Sequence, residues 1–112
     1  MRDLTTVVSA TLINTTRGTD GCVVIEIRGE LDLADSERLR QVLVDASLQR
    51  PTEVVVDLVH VTFIDSSGIG ALVAGYNAAR GLGVRFAVRQ FSPFILTQLR
   101  QTGLDEMLIG DR

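Results

Sequence analysis

The 112-residue chain contains one cysteine, one histidine and no tryptophan. With Cys22 and His60 alone, an intrachain disulfide, a multi-ligand Cys/His zinc site and two-cysteine redox chemistry within one chain are excluded. Positive charge is not in excess either: Lys plus Arg is 11 against 14 for Asp plus Glu, a net charge of −3, with a pI near 5.0. The footprint that phosphate-backbone binding needs is therefore missing, and 4% aromatic residues offer few stacking platforms, so no nucleic acid partner is expected. No apolar run approaches a bilayer span, and Met1 to Asn14 lacks the basic start, long apolar stretch and small-residue cleavage site of a signal peptide. These features predict a cytoplasmic protein with no membrane partner.

What is present is an ordinary globular composition, 46% hydrophobic and 22% charged. A chain of this length buries enough surface for a single domain, residues 1–112, without disulfide or structural metal. Val7 to Asn14 favours strand, and the turn-rich Arg17 to Gly21 leads into Cys22 to Arg28, where Val23, Ile25 and Ile27 alternate with more polar neighbours. This predicts a hairpin ended by Gly29. Leu39, Val42, Leu43 and Ala46 then recur at helical spacing behind Asp32, a suitable N-cap. The β-branched run Val54 to Val56 suits a central strand covered on both faces.

A second helix is predicted from Ser66 or Ser67, with Ile69, Leu72, Val73, Tyr76 and Ala79 on one face, small residues at Gly70, Ala71, Ala74 and Gly75, and Gly81 and Gly83 at its end. Val84, Phe86 and Val88 alternate with Arg85, Ala87 and Arg89 in a further strand. Ser92 can cap a third helix over Pro93 to Thr102, with Phe91 stapled onto Leu96 and Gly103 beyond its last turn, and a short apolar tail follows at Met107 to Ile109. The order argues for an α/β domain: a mixed, mostly parallel sheet of four to five strands packed with helices.

The chemistry-bearing stretch is Phe63, Ile64, Asp65, Ser66, Ser67, Gly68, Ile69, Gly70. It joins a buried strand to a helix, so its hydroxyls are expected among unpaired backbone amides at the positive end of a helix dipole. Two readings of this local chemistry stay open. Either Asp65 or Ser66 only caps the helix, or a phosphate on one of the serines is received by those amides.

Phe63 to Gly70, followed by Ala71, Leu72, Val73, resembles the signature of the STAS-domain anti-sigma factor antagonists of bacteria (anti-anti-sigma factors), and Gly29, Glu30, Leu31, Asp32 resembles their second motif. The likeness is strongest over residues 22–108 and implies a STAS-like single domain acting as a binding module, not an enzyme. It implies phosphorylation of Ser66 by an anti-sigma factor with serine kinase activity, removal of the phosphate by a PP2C-type phosphatase, and capture of the anti-sigma factor by the unphosphorylated form, which frees the sigma factor. Partner contacts would come from Glu30, Asp32, Asp65, Ser66, Ser67 and Gly68, with no catalytic or metal-binding residue and no cofactor. A STAS subunit of another assembly, a transporter complex or a stress-sensing scaffold, is the alternative. Similar proteins commonly continue into another amphipathic helix after the segment matching Met107 to Ile109, which leads to an expectation of exposed apolar surface there and of a weak homodimer.

The remaining candidates read as structural. His60 is expected in a loop, Cys22 as a plain free thiol, and Arg85 and Arg89 on a polar strand face, solvated or paired with carboxylates. Phe91, Phe94, Leu96 and Leu99 are expected in the core or as staples. Serine hydrolysis is disfavoured because the Gly-x-Ser-x-Gly elbow is absent and the lone histidine has no orienting acid, and no Walker-type loop supports nucleotide binding.

Overall fold

The computed structural model describes residues 11–109. Four strands form one sheet in the order β1-β2-β3-β4: β1 is Leu12–Arg17, β2 Cys22–Leu31, β3 Glu53–Ile64 and β4 Arg85–Arg89. β1 and β2 form the antiparallel hairpin, from Leu12 opposite Arg28 to Arg17 opposite Val23, while β2/β3 and β3/β4 are parallel. The part of the expected first strand before residue 11 lies outside the described residues. The crossovers are α1 (Leu33–Leu48) and α2 (Ser66–Gly81), and α3 (Pro93–Gln101) and α4 (Asp105–Ile109) follow β4. This is the mixed α/β architecture expected from the alternation of helix and strand, with four strands.

One sheet face carries Val23, Ile25, Ile27, Val54, Val56, Leu58, Phe86 and Val88, buried together with Leu39 and Leu43 of α1, Leu72 of α2, and Ile95 and Leu99 of α3. The alternation in β2 and β4 follows from this one-sided burial. Ala87 departs from it. It shares the face of Arg85 and Arg89 yet is buried, its single methyl lying in register beside Val55.

The largest departure from the expected elements is in β3, which runs for 12 residues. Its buried positions are Val54, Val56, Leu58, Val61 and Ile64, so the period of two gives way to steps of three. The pairing with β2 shifts register at the same places, between Glu26 and Arg28 and between Gly29 and Glu30. Each shift inserts one extra β3 residue and returns the next apolar side chain to the core. Gly29 accordingly does not end β2 but lies inside it at φ 114°, a conformation that a residue without Cβ adopts freely. His60 is an exposed strand residue opposite Arg28, not a loop residue.

α1 and α2 lie side by side, and close approach occurs at Gly75, where an added Cβ would stand 2.6 Å from Leu43 Cδ1. The small-residue positions predicted in α2 thus include one that sets the distance between the helices. Ser92 caps α3 by accepting from the Ile95 amide at 3.2 Å, and Thr102 is its C-cap. Phe91 and Leu96 pack against the core and Leu99 is fully buried, but Phe94 is exposed. The tail from Met107 to Ile109 also corrects an expectation: it belongs to α4, and Leu108 and Ile109 are buried in the core while Met107 packs against it. The apolar surface invoked for a homodimer is therefore used within the chain.

Candidate functional site

The turns leaving β2 and β3 meet at one end of the sheet. Leu31 pairs with Ile64 and Glu30 with Phe63, so the two sequence motifs lie next to each other at the carboxyl ends of parallel strands. The Asp65 amide donates to the Leu31 carbonyl at 3.2 Å, tying one turn to the other. Gly68 makes the junction possible: a Cβ there would meet Leu31 O at 2.8 Å and Ile64 Cγ1 at 2.9 Å.

Asp32 and Asp65 are both N-caps with nearly the same backbone, φ −111° and ψ −170° against φ −110° and ψ −172°. Asp32 accepts from the Ala34 amide at 3.1 Å. Asp65 does more, since its Oδ1 accepts the Ser67 amide at 2.9 Å, the Gly68 amide at 3.1 Å and the Ser67 hydroxyl at 2.5 Å. The Ser67 hydroxyl, followed by the amides, holds the Asp65 carboxyl below the usual carboxylate range, so it is ionised at neutral pH.

This geometry corrects one expectation and separates the two serines. The first-turn amides are not all unpaired, because those of Ser67 and Gly68 are taken by Asp65, and that of Ile69 bonds to the Asp65 carbonyl. The Ser67 hydroxyl is half-buried and committed to Asp65, whereas Ser66, the first residue of α2, is exposed and its hydroxyl makes no hydrogen bond among the described residues. A phosphate on Ser66 would stand at a helix N-terminus but beside an ionised carboxylate, so its charge would project outward and not be absorbed by the helix end.

Around Ser66 the structure brings together half-buried Asp32 and Asp65, the exposed Glu30, half-buried Ser67 and buried Gly68. Two residues not among the expected partner contacts join this end: Leu33 is 76% and Phe63 40% exposed. Leu33 sits off the periodic face of α1, a legible signal, and Phe63 lies on the outward side of β3 between the buried Val61 and Ile64. Cys22 is remote, at the opposite end of β2, where burial and the Asp20 and Glu53 carboxylates push its thiol up from the ordinary value. Arg89 lies 3.7 Å from Glu53. No helix among the described residues is long and apolar enough to cross a membrane.

A family model described as "Mlab, STAS domain" matches residues 14–110. The chain belongs to the STAS-domain family. An anti-sigma F factor antagonist of Paenibacillus polymyxa is 29% identical over 89 residues, spanning 79% of this chain and 76% of that protein. A solved anti-sigma factor antagonist from Mycobacterium paratuberculosis is 26% identical with a TM-score of 0.75, covering 90% of this chain and 87% of that one. The Bacillus cell fate determinant SpoIIAA in its phosphorylated form shares the STAS fold, with a TM-score of 0.70 at 24% identity, over 90% of this chain and 92% of that one.

Proposed function

We propose that this STAS domain is an anti-sigma factor antagonist switched by phosphorylation of Ser66. The observation that carries the reading is the contrast between adjacent serines: Ser66 is exposed and its hydroxyl makes no hydrogen bond among the described residues, while Ser67 is bonded to Asp65 at 2.5 Å. The relatives named as antagonists support the class of partner. In its unphosphorylated form the protein binds a cytoplasmic anti-sigma factor through Leu33, Phe63 and the polar rim of Glu30, Asp32, Asp65, Ser66, Ser67 and Gly68, and the sigma factor is released. The anti-sigma factor, acting as a serine kinase, transfers phosphate to Ser66 and so ends the complex, and a PP2C-type phosphatase restores it. The domain itself performs no catalysis; its signal is a charge.

The physical basis is a difference between two environments. On the free protein, added charge of about −1.5 to −2 is hydrated at an exposed position. Within an interface that already contains the carboxylates of Asp32 and Asp65, the same charge is desolvated against like charges, at several kcal/mol, and each 1.4 kcal/mol is about tenfold in affinity. The test is incubation with the anti-sigma factor and ATP, followed by fragment mass spectrometry and by calorimetry of each form. Phosphate at Ser66 with lost binding is expected. Stoichiometric phosphate confined to Ser67, or equal affinity of both forms, overturns the proposal.

A further inference from the structure

β4 is an edge strand, and a cavity of about 610 Å³ lies along it, with Glu53, Tyr76, Arg80, Arg85, Phe86 and Arg89 in its lining. It is separate from the Ser66 site: from Ser66 to Arg80 is about 21 Å along the axis of α2, at about 1.5 Å per residue. Its size is within the range of small-molecule sites, roughly 300–1,000 Å³.

The charge in this cavity is unlike that of the rest of the chain. The net charge is −3, yet three arginines line this cavity against the single carboxylate of Glu53, Arg85 and Arg89 from β4 and Arg80 from α2. Arg89 is fixed in place: it lies 3.7 Å from Glu53 and donates to the Ile109 carbonyl at 3.0 Å. Arg80 donates to the Tyr76 hydroxyl at 3.0 Å, which orients its guanidinium without neutralising it. Arg85 is exposed, and neither Arg80 nor Arg85 pairs with a carboxylate among the described residues. Tyr76 and Phe86 meet edge to face, ring centres 6.2 Å apart, and give the cavity a firm aromatic wall. All 11 basic residues of the chain are arginines, whose planar forked donors suit bidentate contact with phosphate or carboxylate.

We propose that this cavity binds a small polyanion, which presents phosphate or carboxylate oxygens to Arg80 and Arg85 while Arg89, held by Glu53 and Ile109, completes the cationic wall. The proposal is independent of the Ser66 switch and is tested on the full chain by calorimetry with pyrophosphate and with citrate, the two titrations distinguishing phosphate from carboxylate ligands. Saturable binding of at least one anion is expected, weakened about tenfold or more by Arg85→Ala, partly restored by Arg85→Lys, and unchanged by Ser66→Ala. Arg85 is exposed and pairs with no carboxylate among the described residues, so its variants keep the fold, which circular dichroism verifies. Absence of saturable binding by both anions, or binding that Arg85→Ala leaves intact, overturns the proposal.

Discussion

The Ser67 hydroxyl donates to Asp65 Oδ1 at 2.5 Å, and the same oxygen caps the first turn of α2 through two amides. One carboxylate thus sets the start of the helix and removes one of two adjacent serines from availability. Asp65→Ala is expected to destabilise the domain by about 1–2 kcal/mol, as for loss of a strong N-cap. In the same variant the Ser67 hydroxyl is released, so kinase treatment should place some phosphate on Ser67 as well as on Ser66. Thermal unfolding and phosphosite mapping check the two effects separately.

The Asp65 carboxyl titrates below its ordinary value of 3.8 because its charged form is the better hydrogen-bond acceptor in the folded state. A folded-state value below the unfolded one means that the stabilisation is present above about pH 4 and is lost as pH falls through the lowered folded value. Urea unfolding at a series of acid pH values should show this loss. Asp65→Asn keeps an acceptor oxygen but cannot titrate, so its stability should lie below that of the parent at pH 7 and approach it in acid.

Two glycines of α2 are expected to respond with opposite sign. Gly75→Ala would place a Cβ 2.6 Å from Leu43 Cδ1 and 2.9 Å from Leu43 Cβ, forcing α1 and α2 apart, and should cost about 1–3 kcal/mol. Gly70→Ala meets nothing within 4 Å at an exposed helical position, and should stabilise by about 0.5–1 kcal/mol. Chemical denaturation of the two variants decides both.

Charge at Ser66 should affect binding much more than folding. Ser66→Asp is expected to unfold close to the parent temperature and to bind the anti-sigma factor roughly a hundredfold more weakly or worse. Ser66→Ala should fold, bind and resist inactivation by ATP. Calorimetry with each variant, with circular dichroism as control, reads both outcomes.

Leu108 is fully buried, so Leu108→Glu should act on the fold and not on an association equilibrium. An unpaired carboxylate in that position should lower stability by several kcal/mol. Sedimentation velocity of the parent and denaturation of the variant separate this outcome from loss of a dimer.

Much of this architecture can be read from the chain because local and tertiary signals agree. Asp32, Ser92 and Pro93 mark helix starts that the structure keeps, and Val23, Ile25 and Ile27 alternate because one face of β2 is buried. The second half of β3 is not legible: after Leu58 its buried residues come every third position, which breaks the alternation of a strand and makes His60 resemble a loop residue. The tail escapes sequence reading for a different reason. Five residues from Asp105 to Ile109 are too few to show a helical period, and only packing against β4 and α2 reveals where Leu108 and Ile109 go. At the site, the cap and the serine pair could be anticipated, but which hydroxyl Asp65 would take depends on the rotamers of three neighbouring side chains.

The two extra residues in β3 mark the places where the strand can change length without moving the site. Each is absorbed at its own register shift, so the pairs Glu26 with Asp57, Gly29 with Val61 and Leu31 with Ile64 do not depend on it. Deleting one of them would close one shift, keep Ile64 inward opposite Leu31, and leave the Asp65 amide at the Leu31 carbonyl. The hold of one turn on the other therefore rests on the pairing of Leu31 with Ile64 and not on the number of residues that precede it.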